Sequence, residues 1–217
     1  MFTGLIEAQG SVSSLIRQRE HTAMTIYAPT IAHNLANGDS VAVNGVCLTV
    51  IKTNRTHFSA DISRETLCRT TFTSLMAGSP VNLERAMRAD DRFNGHFVSG
   101  HVDAVASVLR IETQGNFQVI TFTIPTSLSP LICEKGSVAI DGISLTVSKC
   151  YDTCFSISLI PHTLKHTTLH HATCGLLVNL ECDILARYLA PKEDRATINN
   201  RYIRLLATSG FMGRSYE

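Results

Sequence analysis

The sequence predicts an all-β protein: two tandem, duplicated, six-stranded closed barrels of Greek-key type, with a C-terminal α-helix. Three observations carry this. The chain states one pattern twice, its Val-, Ile-, Thr- and Phe-rich stretches are cut short by Gly, Asn, Asp and Pro, and its last stretch changes to a helical period. Val43-Asn44-Gly45-Val46-Cys47-Leu48-Thr49-Val50 returns as Ile140-Asp141-Gly142-Ile143-Ser144-Leu145-Thr146-Val147, with Leu48 and Leu145 97 residues apart. Val81-Asn82-Leu83-Glu84 returns as Val178-Asn179-Leu180-Glu181 at the same offset, and Thr3-Gly4-Leu5-Ile6-Glu7 as Ser99-Gly100-His101-Val102-Asp103 at 96.

In the first repeat, strands are expected near Phe2 to Glu7, Ser11 to Arg17, Thr22 to Ala28, Ser40 to Val43, Cys47 to Lys52, His57 to Asp61 and Val81 to Arg85, and the second copies most of them. Regular short strands favour closure, which removes unpaired edges. Ser63 to Leu75 and Pro161 to Ala172 have few strand formers and read as short helices. From Asp194, the apolar residues Ile198, Tyr202, Leu205 and Leu206 follow a helical stripe. That stripe either packs on its own barrel or forms a seam between subunits. The expected units are 1–96, 97–190 and 191–217.

Composition excludes several classes. Net charge is +1, basic residues are scattered and tryptophan is absent, so no footprint for nucleic acid exists. No apolar run approaches the roughly 20 residues of a membrane span, and the start lacks a secretory pattern, so a cytoplasmic location is expected. Seven cysteines at irregular spacings favour free thiols.

Asn44-Gly45 and Asp141-Gly142 are hairpin-turn dipeptides leading into Cys47-Leu48-Thr49 and Ser144-Leu145-Thr146, where alternation puts two polar side chains on one face and Leu on the other. The exchanges between repeats (Cys47 for Ser144, Asn44 for Asp141, Glu65 for His162, Leu5 for His101) suggest similar pockets with unequal duties. A thiol is expected on one side, an imidazole and a carboxylate on the other. His162, His166 and His170 are spaced by four, but their counterparts Glu65, Arg69 and Thr73 form no ligand set, so no metal is expected. Phosphate-cradling glycine motifs of the Walker and Rossmann kinds are absent, so no nucleotide cofactor is expected either.

These motifs, together with Met1-Phe2-Thr3-Gly4-Leu5-Ile6-Glu7, Gly95-His96-Phe97-Val98-Ser99-Gly100-His101-Val102-Asp103 and Ile160-Pro161-His162-Thr163, resemble the riboflavin synthase α-chain family over about Met1 to Ala190. Asn94 departs from it, standing where the family usually has glycine. The resemblance implies cofactor-free dismutation of two molecules of 6,7-dimethyl-8-ribityllumazine, each held by one barrel, in a homotrimer whose site lies between neighbouring subunits. It also leaves open an association with lumazine synthase. By the same resemblance, His101 is the proton carrier, with Cys47, Ser40 and Asp141 as polar participants. The nucleophile is Cys47, water or a ribityl hydroxyl. Substrate contacts are implied at Gly4, Leu5, Ile6, Cys47, Leu48, Thr49, Asp61, Ile62, Ser63, Arg64, Glu65, Thr66, Gly100, His101 and Val102. The rest are implied at Lys135, Ser144, Leu145, Thr146, Leu159, Ile160, Pro161, His162, Thr163 and Leu164. A non-catalytic lumazine- or flavin-binding antenna protein is the alternative.

Overall fold

The computed structural model describes residues 1–19 and 21–189. The predicted helix beyond Asp194 lies outside these residues. The first repeat contains β1 (Ala8–Arg17), β2 (His21–Tyr27), β3 (Ser40–Val43), β4 (Val46–Thr49), β5 (Lys52–Thr53), β6 (His57–Ser63), α1 (Arg64–Arg69) and β7 (Pro80–Arg85). The second contains β8 (Ala104–Gln114), β9 (Phe117–Thr123), β10 (Ser137–Ile140), β11 (Ile143–Cys150), β12 (Cys154–Leu159), α2 (Pro161–His166) and β13 (Leu177–Cys182), followed by α3 (Ile184–Leu189).

The second repeat is a closed barrel in the order β10-β11-β12-β9-β8-β13. The first keeps the same order as a ladder, β4-β3-β7-β1-β2-β6-β5, whose two ends are pieces of the strand that corresponds to β11. The interruption falls at Val50–Ile51, where Val50 N–H donates to Asp39 O (2.8 Å) and Ile51 N–H to Ser59 O (2.8 Å). Backbone bonding therefore passes from the β3 side to the β6 side across the gap. In β11 the same hand-over occurs within one strand, through a register shift between Val147 and Lys149. The stretch Phe2 to Glu7 is not a strand of its own barrel. Only Phe2 makes an isolated bridge, to Val98, because the partners of this stretch lie partly in the other repeat.

Alternation fills each interior. Met24, Ile26, Phe58, Ile62, Phe72 and Leu83 are fully buried in the first core; Ile120, Phe122, Ile140, Phe155 and Ile157 are fully buried in the second, with the Phe122 and Phe155 rings stacked at 5.5 Å. Phe2, Ala42, Val98 and Ala139 form a small apolar cluster of their own, drawing equally on the two repeats. Beside it the two turns meet back to back. Asn44 and Asp141 have φ of 45° and 46°, followed by Gly45 and Gly142 at 75° and 79°, the two positive values that a tight hairpin turn needs. A Cβ on Gly45 would lie 2.6 Å from Gly142 N, and one on Gly142 2.7 Å from Gly45 N, so only glycine fits.

Asn82 and Asn179 stitch this seam reciprocally. Asn82 Nδ2 donates to Asp141 O (3.0 Å), while Asn179 Nδ2 donates to Asn44 O (2.8 Å). Their side-chain oxygens accept from Thr168 N–H and Thr71 N–H, each at 2.8 Å. These amides satisfy buried backbone groups of the opposite repeat, which fixes the two halves as one unit.

Candidate functional site

Glu84 and Glu181, the last residues of the repeated Val-Asn-Leu-Glu motif, are buried and each grips a glycine-containing loop. The Glu84 carboxylate accepts from Thr3 N–H (2.6 Å), Thr3 Oγ1 (2.7 Å) and Gly4 N–H (3.0 Å). Glu181 accepts from Ser99 N–H (2.6 Å), Ser99 Oγ (2.7 Å) and Gly100 N–H (3.1 Å). Burial pushes both carboxyls above the ordinary range, with the donated hydrogen bonds pulling the other way.

Each loop, anchored in its own repeat, then delivers its next residues to the other one. Ser144 N–H donates to Gly4 O (2.8 Å) and Ile6 packs on the second core; Cys47 N–H donates to Gly100 O (2.9 Å) and Val102 packs on the first. The fit is tight, because a Cβ on Gly4 would lie 2.5 Å from Ser144 Cβ and one on Gly100 2.5 Å from Cys47 Cβ. This exchange sorts the candidate residues into two sets. Gly100, His101 and Val102 join Cys47, Leu48 and Thr49 at the N-terminal barrel, while Gly4, Leu5 and Ile6 join Ser144, Leu145 and Thr146 at the C-terminal barrel. The expected division, a thiol apart from an imidazole, is thereby corrected: His101 belongs beside Cys47. Linear position hid this, since each loop crosses to the opposite repeat.

Side-chain alternation follows the expected pattern. Leu48 is buried and Leu145 packs on the second core, whereas Cys47 and Ser144 are half-buried and Thr49 and Thr146 exposed. At the β6–α1 corner Ser63 Oγ caps the helix by accepting from Thr66 N–H (3.1 Å), Ile62 is buried, and Asp61 faces His21 across β2 at 3.6 Å. Glu65 pairs with Arg69 along the helix surface (3.1 Å), and Arg64 lines a cleft of about 750 Å³ with Leu67, Phe72 and His21. Ser40 lies opposite Thr49 in the sheet and lines another cleft, of about 550 Å³, shared with Thr3, Leu5, Glu7 and Arg92. Lys135 has φ of 68° in the turn before β10, its N–H donating to Val147 O (2.8 Å) beside Thr146. In the β12–α2 corner Leu159 and Leu164 are buried, Thr163 is half-buried, and Ile160, Pro161 and His162 are exposed.

Asp141 stands elsewhere. It is buried in the seam, where Oδ1 accepts from Asn179 N–H (2.8 Å) just as Asn44 Oδ1 accepts from Asn82 N–H (2.7 Å). The His162 and His166 rings stack at 4.2 Å, and among the described residues no group of three His, Cys, Asp or Glu side chains is arranged to hold a metal. All seven cysteines are free, and among the described residues no helix is long and apolar enough to cross a membrane.

Sequence reasoning missed Glu84, Glu181 and His96 as organisers of the site. For the two glutamates a signal existed: a carboxylate recurring in register inside an apolar strand must find donors when buried. His96 had none, lying in the stretch that joins the two repeats, outside the motifs that recur. It is buried, with Nδ1 2.7 Å from Ser144 Oγ.

Two crossed loops on paired β-repeats, each beside a half-buried thiol or hydroxyl, mark a duplicated small-molecule-binding protein. Residues 3–86 and 99–183 each match the family model of the lumazine binding domain. The chain is 43% identical to riboflavin synthase of Bacillus subtilis (strain 168) and 45% identical to that of Actinobacillus pleuropneumoniae, each over 87% of this chain and 88% of theirs. It is 40% identical to riboflavin synthase of Photobacterium phosphoreum over 98% of this chain and 100% of that one. Among solved structures, LumP complexed with riboflavin superposes with a TM-score of 0.77 at 26% identity, and LumP complexed with 6,7-dimethyl-8-(1'-D-ribityl) lumazine with 0.76 at 25%, each covering 84% of this chain and 99% of that one. The chain belongs to the riboflavin synthase family of lumazine-binding proteins.

Proposed function

We propose that this chain catalyses the dismutation of two molecules of 6,7-dimethyl-8-ribityllumazine: one gives a four-carbon unit to the other, releasing riboflavin and 5-amino-6-ribitylamino-uracil. This is a transferase reaction closing riboflavin formation. The observation that supports it is the crossed pair of loops, which sets the Gly100–His101 loop against Cys47 and the Gly4–Leu5 loop against Ser144, so that one chain carries two similar sites with different reactive groups. Two identical substrates with unequal fates need that combination.

Holding the two rings face to face removes much of the entropic barrier, by about 7–11 kcal/mol in well-aligned cases. His101, exposed on the loop that meets Cys47, takes a proton from the 7-methyl group of one lumazine, while a nucleophile adds to the ring of the other. Backbone amides and hydroxyls of the two loops and of β4 and β11 hold the pyrimidinedione and ribityl groups. No cofactor enters, since donor and acceptor exchange their own oxidising equivalents. The working unit in this reading is a cytoplasmic homotrimer of chains divided at 1–96, 97–190 and 191–217. Its site is shared between the N-terminal barrel of one subunit and the C-terminal barrel of the next, and lumazine synthase is its candidate associate.

The test is turnover by the purified protein with lumazine alone, following riboflavin by absorbance and lumazine by fluorescence. Two lumazines consumed per riboflavin formed is the expected result. Tight binding without product would overturn the enzyme and leave a binding protein of the antenna kind.

A further inference from the structure

Behind Ser144 stands an imidazole, and among the described residues no histidine is hydrogen-bonded to its counterpart Cys47. His96 is 7% exposed, and its Nδ1 lies 2.7 Å from Ser144 Oγ. Its backbone is pinned as well. His96 N–H donates to Thr3 O (3.2 Å), and Gly95 admits no side chain, because a Cβ there would lie 1.9 Å from Thr3 O and 3.3 Å from Ser144 Cβ.

The other ring nitrogen, Nε2, is buried and has no hydrogen-bond partner among the described residues. Burial favours the neutral ring, against the negative charge of Asp183, which reaches His96 without bonding to it. Asp183 Oδ1 is taken by Leu185 N–H at 3.0 Å. A neutral imidazole carries one N–H. Placed on Nε2, that hydrogen would be a buried donor with no acceptor, which folded proteins rarely tolerate; placed on Nδ1, it meets Ser144 Oγ and leaves only a lone pair unmatched.

We propose that His96 is the positioning residue of the C-terminal pocket: its Nδ1–H donates to Ser144 Oγ, so that Ser144 turns its own hydroxyl hydrogen to the lumazine bound there. Ser144 then acts as an obligatory donor, and the ligand atom it meets is an acceptor, a ring nitrogen or carbonyl oxygen. The N-terminal pocket works differently, with its exposed His101 facing solvent and ligand directly. This inference rests on the lumazine reading of the site.

Nitrogen NMR of the histidine-labelled protein reports the tautomer without any turnover, and the expected signature is a protonated Nδ1 beside an unprotonated Nε2. The opposite tautomer would overturn the proposal. Kinetics give the second arm. H96L should weaken the C-terminal pocket, raising KM or lowering kcat by about tenfold, the worth of one buried hydrogen bond. H96N, which keeps a donor near the Nδ1 position, should recover to within about threefold of wild type. In the S144A background H96L should add nothing further; losses that multiply would show that His96 does not act through Ser144. Should H96L fail to fold, the tautomer and the H96N result still decide. If wild-type protein makes no riboflavin, the functional reading fails on its own, while the tautomer and lumazine titration of H96N and S144A still test the positioning role.

Discussion

The N-terminal and C-terminal repeats are built on identical framing and finished with different chemistry. The framing is Gly4 and Gly100, Gly45 and Gly142, Asn82 and Asn179, Glu84 and Glu181, paired residue for residue with matching hydrogen bonds. The finish is Cys47 beside the Gly100–His101 loop on one side, and Ser144 beside the Gly4–Leu5 loop and buried His96 on the other. These glycine, asparagine and glutamate positions are identical in the two repeats, whereas Cys47 against Ser144 and Leu5 against His101 differ. The crossed loops add a second lesson: each repeat receives a loop from the other, with Gly4 O meeting Ser144 and Gly100 O meeting Cys47.

The largest effect should come from breaking the shared frame. At Gly45 or Gly142, alanine meets opposing backbone at 2.6–2.7 Å and a positive φ, whereas Gly38 and Gly175 share the positive φ with open space around them. We expect G45A and G142A each to cost about 2–5 kcal/mol, combining left-handed strain with overpacking. G38A and G175A should cost only about 1–2 kcal/mol, from strain alone. Urea midpoints at unchanged m-value give the comparison. A G142A protein no less stable than G175A would mean that the turns do not meet as described.

Asn44 against Asp141 is the next test, because one titrates and the other does not. Burial lifts the Asp141 carboxyl from its ordinary 3.8 to about 7, outweighing the Asn179 N–H that favours its charged form. Between those values the folded protein holds a proton that the unfolded chain has released. Stability from this group is therefore complete below about pH 4 and declines as pH rises through 7. D141N should remove that slope, worth about 2–4 kcal/mol across the window, and N44D should create a matching slope in the first repeat. Glu84 and Glu181 titrate in the same sense and persist in both variants. Unfolding at pH 5 and pH 7 for the three proteins measures it; equal slopes in wild type and D141N would refute the assignment.

Much of this frame was legible in the sequence, because turns and alternation are local. Asn44-Gly45 and Asp141-Gly142 declare positive φ, and Leu48 with Cys47 and Thr49 declares which side faces the core. The interruption at Val50–Ile51 was not legible, since it depends on which of two neighbouring strands each amide bonds. Nor was the exchange of Gly4–Ile6 with Gly100–Val102, which is a tertiary choice that leaves local pattern unchanged. Ser144 was legible as a pocket residue but His96 behind it was not, for a lone histidine carries no periodicity.

The finish of the pockets is tested by exchanging it. C47S should reduce single-turnover rate by about 10–100-fold and S144C by less, while H101L should lower the rate more than it weakens lumazine binding. Equal losses from C47S and S144C would remove the asymmetry and leave two interchangeable pockets.

The smallest effect concerns how each repeat secures its crossing loop. Glu7 accepts from Arg85 N–H (2.7 Å) and pairs with the Arg85 guanidinium (2.7 Å). Its counterpart Asp103 accepts from Cys182 N–H (2.9 Å) and pairs with Arg187 of α3. The acid and the backbone donor are equivalent, but the cation comes from the same strand in one repeat and from the following helix in the other. Glu7 and Arg85 are 31% and 39% exposed at their side chains, so solvent screens them, whereas Asp103 is only 10% exposed. R85A should therefore cost about 0.5 kcal/mol or less and lose even that in concentrated salt. R187A should cost somewhat more, about 1 kcal/mol, and keep most of it at high salt, because the Asp103 charge it leaves is poorly solvated. The helix should also loosen, seen as faster amide exchange over Ile184–Leu189. Identical salt dependence for the two variants, with unchanged exchange in α3, would show that the helix is held by packing and that the arginine is incidental.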